Sequence, residues 1–147
     1  MKKITLILVM ALSLVANDII VEESCTDVST TANNIKNIVR SKGLTVFALI
    51  NHSANAKMVD MKLNESKMVI FGNPKIGTAL MQQDMTVGLD LPLRILVFKD
   101  TDGKVKMAYR DGSWLASKHV LNAPKKEKKI NKAMAMFVKK AGQCLKD

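Results

Sequence analysis

The chain has 147 residues, a formal net charge of +10 and 48% apolar residues. That composition sets it apart from disordered chains and allows one hydrophobic core, not two ordinary domains. One Trp, one Tyr and four Phe offer no obvious stacking platform for bases, so nucleic acid is not an expected partner despite the basic charge.

In chain order, Lys2 and Lys3 precede an apolar run from Ile4 to Val15 that stops before Asp18, Glu22 and Glu23. That is the layout of a secretory signal peptide. A spanning helix needs roughly 20 apolar residues, which this run lacks. Cleavage after Ala16 is expected, with residues 1–16 as the signal, residues 17–147 as a single domain, and a periplasmic or secreted destination. Ile19 to Glu23 reads as a strand. Val28, Ala32, Ile35 and Val39 then space a helix that Asp27 or Ser29 caps and Gly43 ends. Leu44 to Ile50 is continuously apolar, which predicts a strand covered on both faces. A short helix is expected over Ser53 to Leu63 and a strand over Lys67 to Phe71. Gly72-Asn73-Pro74 turns into a helical stretch over Lys75 to Gln82, weakened by Gly77. Leu93 to Lys99 and Lys104 to Tyr109 flank Asp100-Thr101-Asp102-Gly103, the clearest hairpin signal in the chain.

Pro124 opens the last helix, placed over residues 124–147, in which Ile130, Ala133, Met134, Phe137, Val138, Ala141 and Cys144 or Leu145 recur at helical spacing. Residues 125 to 147 carry eight lysines against Glu127 and Asp147. Lys128, Lys129, Lys132, Lys139 and Lys140 fall mainly away from the apolar stripe, as a solvated outer face would. The same cluster attracts an anionic membrane surface or an acidic partner. The methionines are scattered over separate elements, which reads as core filling rather than as a thioether site for copper.

The order Thr45-Val46-Phe47-Ala48, Asn51-His52, Ile70-Phe71-Gly72-Asn73-Pro74-Lys75 with Gly77, Leu89-Asp90-Leu91-Pro92-Leu93, the Asp102-Gly103-Lys104 turn, Tyr109 with Asp111, and Leu115-Ala116 with His119 resembles the DUF302 family of domains of unknown function. The match runs from about residue 19 to residue 121. The resemblance implies an α+β domain of the β-α-β4-α kind, an antiparallel sheet backed by helices and similar to the TATA-binding-protein fold, with a tendency to form a homodimer. It implies no activity and names no cofactor. The family commonly shows Asp-His where this chain has Asn51-His52, so no carboxylate stands beside His52.

The residues of chemical interest are few. His52 follows a buried strand, where an imidazole serves as acid, base or ligand contact, or simply fixes the strand end. His119 follows Trp114 in the segment from Ser113. Asp90 lies among apolar residues and needs a partner or a proton wherever it is buried. Asn73 opens a helical turn whose amides attract anions, although no phosphate-binding loop motif accompanies it. His52, Asn73, Asp90 and His119 are therefore the candidate ligand-binding residues, with their convergence on one cleft as the discriminating observation. Two histidines with no short-spaced ligand set make no metal signature. Cys25 and Cys144, near opposite ends of the mature chain, are a candidate disulfide in an oxidising compartment. These features suit a small-ligand-binding or accessory module; the alternatives are a redox or hydrolytic enzyme using His52 as acid or base, and a structural homodimer without a ligand site.

Overall fold

The computed structural model describes residues 18–143; the expected signal segment 1–16 and Cys144 lie outside the described residues. Its elements are β1 (Ile20–Ser24), α1 (Val28–Ser41), β2 (Thr45–Asn51), α2 (His52–Lys57), β3 (Ser66–Gly72), α3 (Pro74–Met81), a short 3-10 helix (Met85–Leu89), β4 (Leu93–Lys99), β5 (Val105–Tyr109), α4 (Gly112–Lys118) and α5 (Pro124–Ala141). The strands form one antiparallel sheet in the order β1-β5-β4-β3-β2. This is the expected α+β architecture, with the first strand at one edge, paired to the last.

Local chemistry accounts for the element ends. The Asp27 carboxylate accepts a hydrogen bond from the Thr30 amide at 2.8 Å, which satisfies one of the donors a helix start leaves unpaired. Gly43, at φ +70°, takes the left-handed conformation that releases the chain from α1 into β2. The 100–103 turn closes through the Gly103 amide on the Asp100 carbonyl and the Asp100 amide on the Lys104 carbonyl. Lys106 ties the same corner by an ion pair to Asp100. The peptide bond between Leu91 and Pro92 is cis.

The sheet has one dry face. Val69 and Phe71 of β3, Ile95 and Val97 of β4, and Met107 and Tyr109 of β5 are buried beneath α1 and α5. From above they meet Val28, Ala32, Ile35 and Val39 of α1 and Met134, Phe137, Val138 and Ala141 of α5. Phe71 and Phe137 meet edge to face at 5.6 Å. Strand alternation sends the other residues to the opposite side, where the register lines up Val21, Ala108, Leu96, Met68 and Ile50 across all five strands. No residue of that row is fully buried.

Three expectations are corrected. β2 is an edge strand and not a strand covered on both faces, and Phe47 and Leu49 are 49% and 41% exposed. Its unbroken apolar run reflects a bulge instead: Val46 pairs with Phe71 and Ala48 with Ile70, which leaves Phe47 as the extra residue. A bulge re-aims the side chain it inserts. Met58, Met61 and Met85 lie on the surface at 82%, 65% and 71% exposure rather than in the core, whereas Met107 and Met134 are buried. Finally, α5 stops at Ala141, where the Gly142 amide donates to the Val138 carbonyl.

Candidate functional site

The sheet topology decides which candidate residues can meet. β2 and β3 run antiparallel with Thr45 opposite Gly72 and Asn51 opposite Lys67. Asn73, just past Gly72, therefore sits at one end of the sheet and His52, just past Asn51, at the other, about 20 Å away along seven extended residues. Asp90, which precedes β4, and His119, which follows α4, belong to the Asn73 end. The four candidates do not share one cleft.

His52 is half-buried and opens α2, whose cap is the Asn51 side chain, an acceptor for the Ala54 amide at 3.0 Å. The Asn51 side chain also accepts from the Ser53 hydroxyl at 2.9 Å. Asparagine at this position is thus a helix cap beside the histidine.

Asp90 and His119 do come together. His119 Nε2 lies 2.8 Å from Asp90 Oδ2, its Nδ1 lies 3.1 Å from Thr86 Oγ1 and 3.7 Å from Asp84 Oδ2, and its side chain is only 8% exposed. Asp84 adds a second tie, accepting from the Val120 amide at 3.0 Å. The Thr86 hydroxyl first, then the Val120 and Thr86 amides, hold the Asp84 carboxyl below the ordinary carboxylate range. With both ring nitrogens occupied by protein groups, this cluster fastens the loop after α4 to the 3-10 helix. The His119 ring is thereby turned into the protein, while the Asp90 side chain stays 25% exposed.

Asn73 has a different setting. Its side chain caps α3, accepting from the Ile76 amide at 3.2 Å, and it stands on the rim of a cleft of about 490 Å³ between α3, α5 and the sheet end that carries Phe47 and Gly72. Leu44, Ile76, Met81, Leu91, Met136 and Phe137 give the cleft its apolar lining. Gly72 and Gly77 keep it open: a methyl group at Gly77 would meet only Leu91 Cδ1, at 3.9 Å. Lys42, Lys126 and Lys129 stand around it. Lys129 thus faces the cleft, against its expected place on the outer face of the helix. The sequence does carry a signal for this, since Lys126, Lys129, Ala133 and Met136 follow one another at three- and four-residue steps beside the buried stripe. What the sequence did not reveal is that α3, from the β3–β4 connection, would stand across from that row.

Among the described residues no cluster of His, Cys, Asp and Glu side chains is arranged to hold a metal ion. No described helix is long and apolar enough to cross a membrane. Cys25 is not a free thiol.

An antiparallel α+β sandwich with one helix-covered face and an apolar cleft at the sheet end defines the class. The chain belongs to the family described as "Domain of unknown function DUF302", whose model matches residues 20–137. It is similar to an uncharacterised conserved DUF302 protein of Bacillus stearothermophilus of known crystal structure, with a TM-score of 0.73 and 15% identity over 86% of this chain and 99% of that one. At that identity the likeness is one of fold. A protein named fluoride-specific ion channel FluC 1 of Brucella suis biovar 1 (strain 1330) is 38% identical over 109 residues, covering 74% of this chain and 43% of that protein. FluC 2 of Brucella melitensis biotype 1 (strain ATCC 23456 / CCUG 17765 / NCTC 10094 / 16M) shows the same identity and covers 40% of its own length. The chain spans less than half the length of these curated relatives.

Proposed function

We propose that this chain is an exported small-ligand-binding module that holds an apolar molecule in the cleft between α3 and α5. The observation that carries this reading is the cleft itself: about 490 Å³, within the range of small-molecule sites, with an apolar lining and few polar groups. More than half of each FluC-named relative lies outside the match, which supports reading the shared segment as a module that accompanies other activities. Export rests on Lys2, Lys3 and the apolar run after them, and N-terminal sequencing of the protein recovered from the periplasm is expected to begin at Asn17.

The test of the cleft is a filled cleft. Gly77→Leu places a branched side chain into open space, and leucine favours the helix over glycine by about 0.8 kcal/mol. Saturable binding of the neutral apolar dye Nile red is expected for the wild type and lost in Gly77→Leu, with the melting temperature held or raised. Binding that survives Gly77→Leu and disappears in His52→Ala would overturn the reading and move the site to the head of α2.

A second reading concerns assembly. The apolar row from Val21 to Ile50 crosses the whole uncovered face of the sheet, with the Arg94 position on one side of it and the Lys106 position on the other. A second copy of this chain, related by a two-fold axis, sets band on band and keeps both charged margins at the rim.

A further inference from the structure

We propose that the ligand of the cleft is a single-chain anionic amphiphile, a medium-chain carboxylate of the fatty-acid type, with its tail among the apolar residues and its head at Lys42, Lys126 and Lys129. This rests on the cleft reading above and adds the chemistry of the occupant.

Three observations lead to it. The three lysines reach the cleft from two separate elements: Lys42 follows the end of α1, and Lys126 and Lys129 are one turn apart on α5. Among the described residues no Asp or Glu lines the cleft. Among the described residues, none of the three ammonium groups has a carboxylate within 4.0 Å, whereas Lys104, Lys106 and Lys118 are all paired. The rim is therefore a concentration of uncompensated positive charge beside an apolar hollow.

Each half of that arrangement is left unused by one class of ligand. A neutral apolar molecule fills the hollow and makes no use of the charge, and a small polar anion meets the charge but leaves the hollow's surface in contact with water. A molecule with one anionic end and one alkyl tail satisfies both. The lysines suit a flexible, hydrated head because their own stems lie along apolar surface while their ammonium groups stay in water. A cleft of about 490 Å³ accommodates one alkyl chain and not the two of a membrane phospholipid, so the occupant is taken as a free monomer.

The experiment is calorimetric titration of the mature protein, below the micelle-forming concentration, with dodecanoate and with dodecanol, two ligands of equal tail and different head. Dodecanoate is expected to bind about tenfold more tightly, the size of effect a few exposed ion pairs supply. The advantage shrinks as salt is raised. In the double variant Lys126→Gln/Lys129→Gln the advantage is expected to disappear while dodecanol binding stays as it was. Equal affinity of the wild type for the two ligands overturns the anionic-head inference and leaves the cleft reading intact. Failure of both to bind overturns the cleft reading with it. Binding to phosphatidylglycerol vesicles without binding to monomeric dodecanoate overturns the proposal in favour of a membrane-surface role for α5.

Discussion

Asp84 shows how much of the candidate chemistry at the residue scale is structural. Its carboxylate accepts from the Thr86 amide and hydroxyl at 2.9 and 2.6 Å and from the Val120 amide at 3.0 Å, so the charged form is the one the fold stabilises. Asp27 is held low by the Thr30 hydroxyl and then its amide, and Asp100 by its hydrogen bond to Lys106. All three carboxyls are held below the ordinary aspartate range, so in acid the unfolded chain binds more protons than the folded one. The stability these groups contribute is fully present above the unfolded value and is lost as pH falls through the folded ones. Urea denaturation midpoints are expected to be level from about pH 7 to pH 5 and to fall below about pH 4. Asp84→Asn makes that fall shallower and lowers the neutral plateau. An acid limb and neutral plateau identical in wild type and Asp84→Asn would show that the Asp84 carboxylate adds nothing to the fold.

At the scale of elements, the closure between β1 and α5 is where sequence and structure most nearly meet. The Cys25 amide donates to the Gly142 carbonyl at 3.1 Å, and a methyl group on Gly142 would stand 3.0 Å from the Glu23 carbonyl oxygen. The end of α5 thus lies against the end of β1, two residues before Cys144. We expect Cys25 and Cys144 to be bonded to each other, and by the loop-entropy account a closure this long contributes about 4 to 5 kcal/mol. Reduction, or Cys144→Ser, is expected to lower the melting temperature by more than about 10 °C, at roughly 3–5 °C per kcal/mol for a domain of this size. An unchanged melting temperature would sink the pairing. The strands, the helix starts at Asp27 and Pro124 and the 100–103 turn were legible because each is written in neighbouring residues: an Asx cap, a proline, an Asp-Gly pair. The edge position of β2 was not, since Leu44 to Ile50 spells the same apolar run whether burial or a bulge at Phe47 accounts for it. The cleft was least legible of all. Its walls come from α3 and α5, some fifty residues apart, and only the sheet brings them face to face. Asn73 pointed to the right end of the molecule because a helix cap is a local signal, whereas His52 drew attention by its chemistry alone.

The whole molecule is lopsided, with both long helices on one face of the sheet, and the open face sets the last prediction. Strands about 4.8 Å apart and roughly 20 Å long give five strands a face on the order of 500 Å². Pairing two such faces buries on the order of 1,000 Å², near the lower limit for a specific interface. The area is apolar at its centre, with Leu96 opposite Ala108 on one side and Met68 on the other. An interface of that size and composition supports a dimer of micromolar rather than nanomolar affinity. Sedimentation equilibrium of residues 17–147 is therefore expected to show a monomer–dimer exchange over roughly 1 to 100 µM, the range in which such a weak interface titrates. Leu96→Lys, at the centre of the row, introduces a charge that the monomer leaves in water and the dimer would have to bury against its own symmetry copy. The variant is expected to be monomeric throughout that range, with a circular dichroism spectrum like that of the wild type. A wild type that is monomeric at the highest concentration, or a Leu96→Lys protein that dimerises as well as its parent, would remove the open face as the site of assembly.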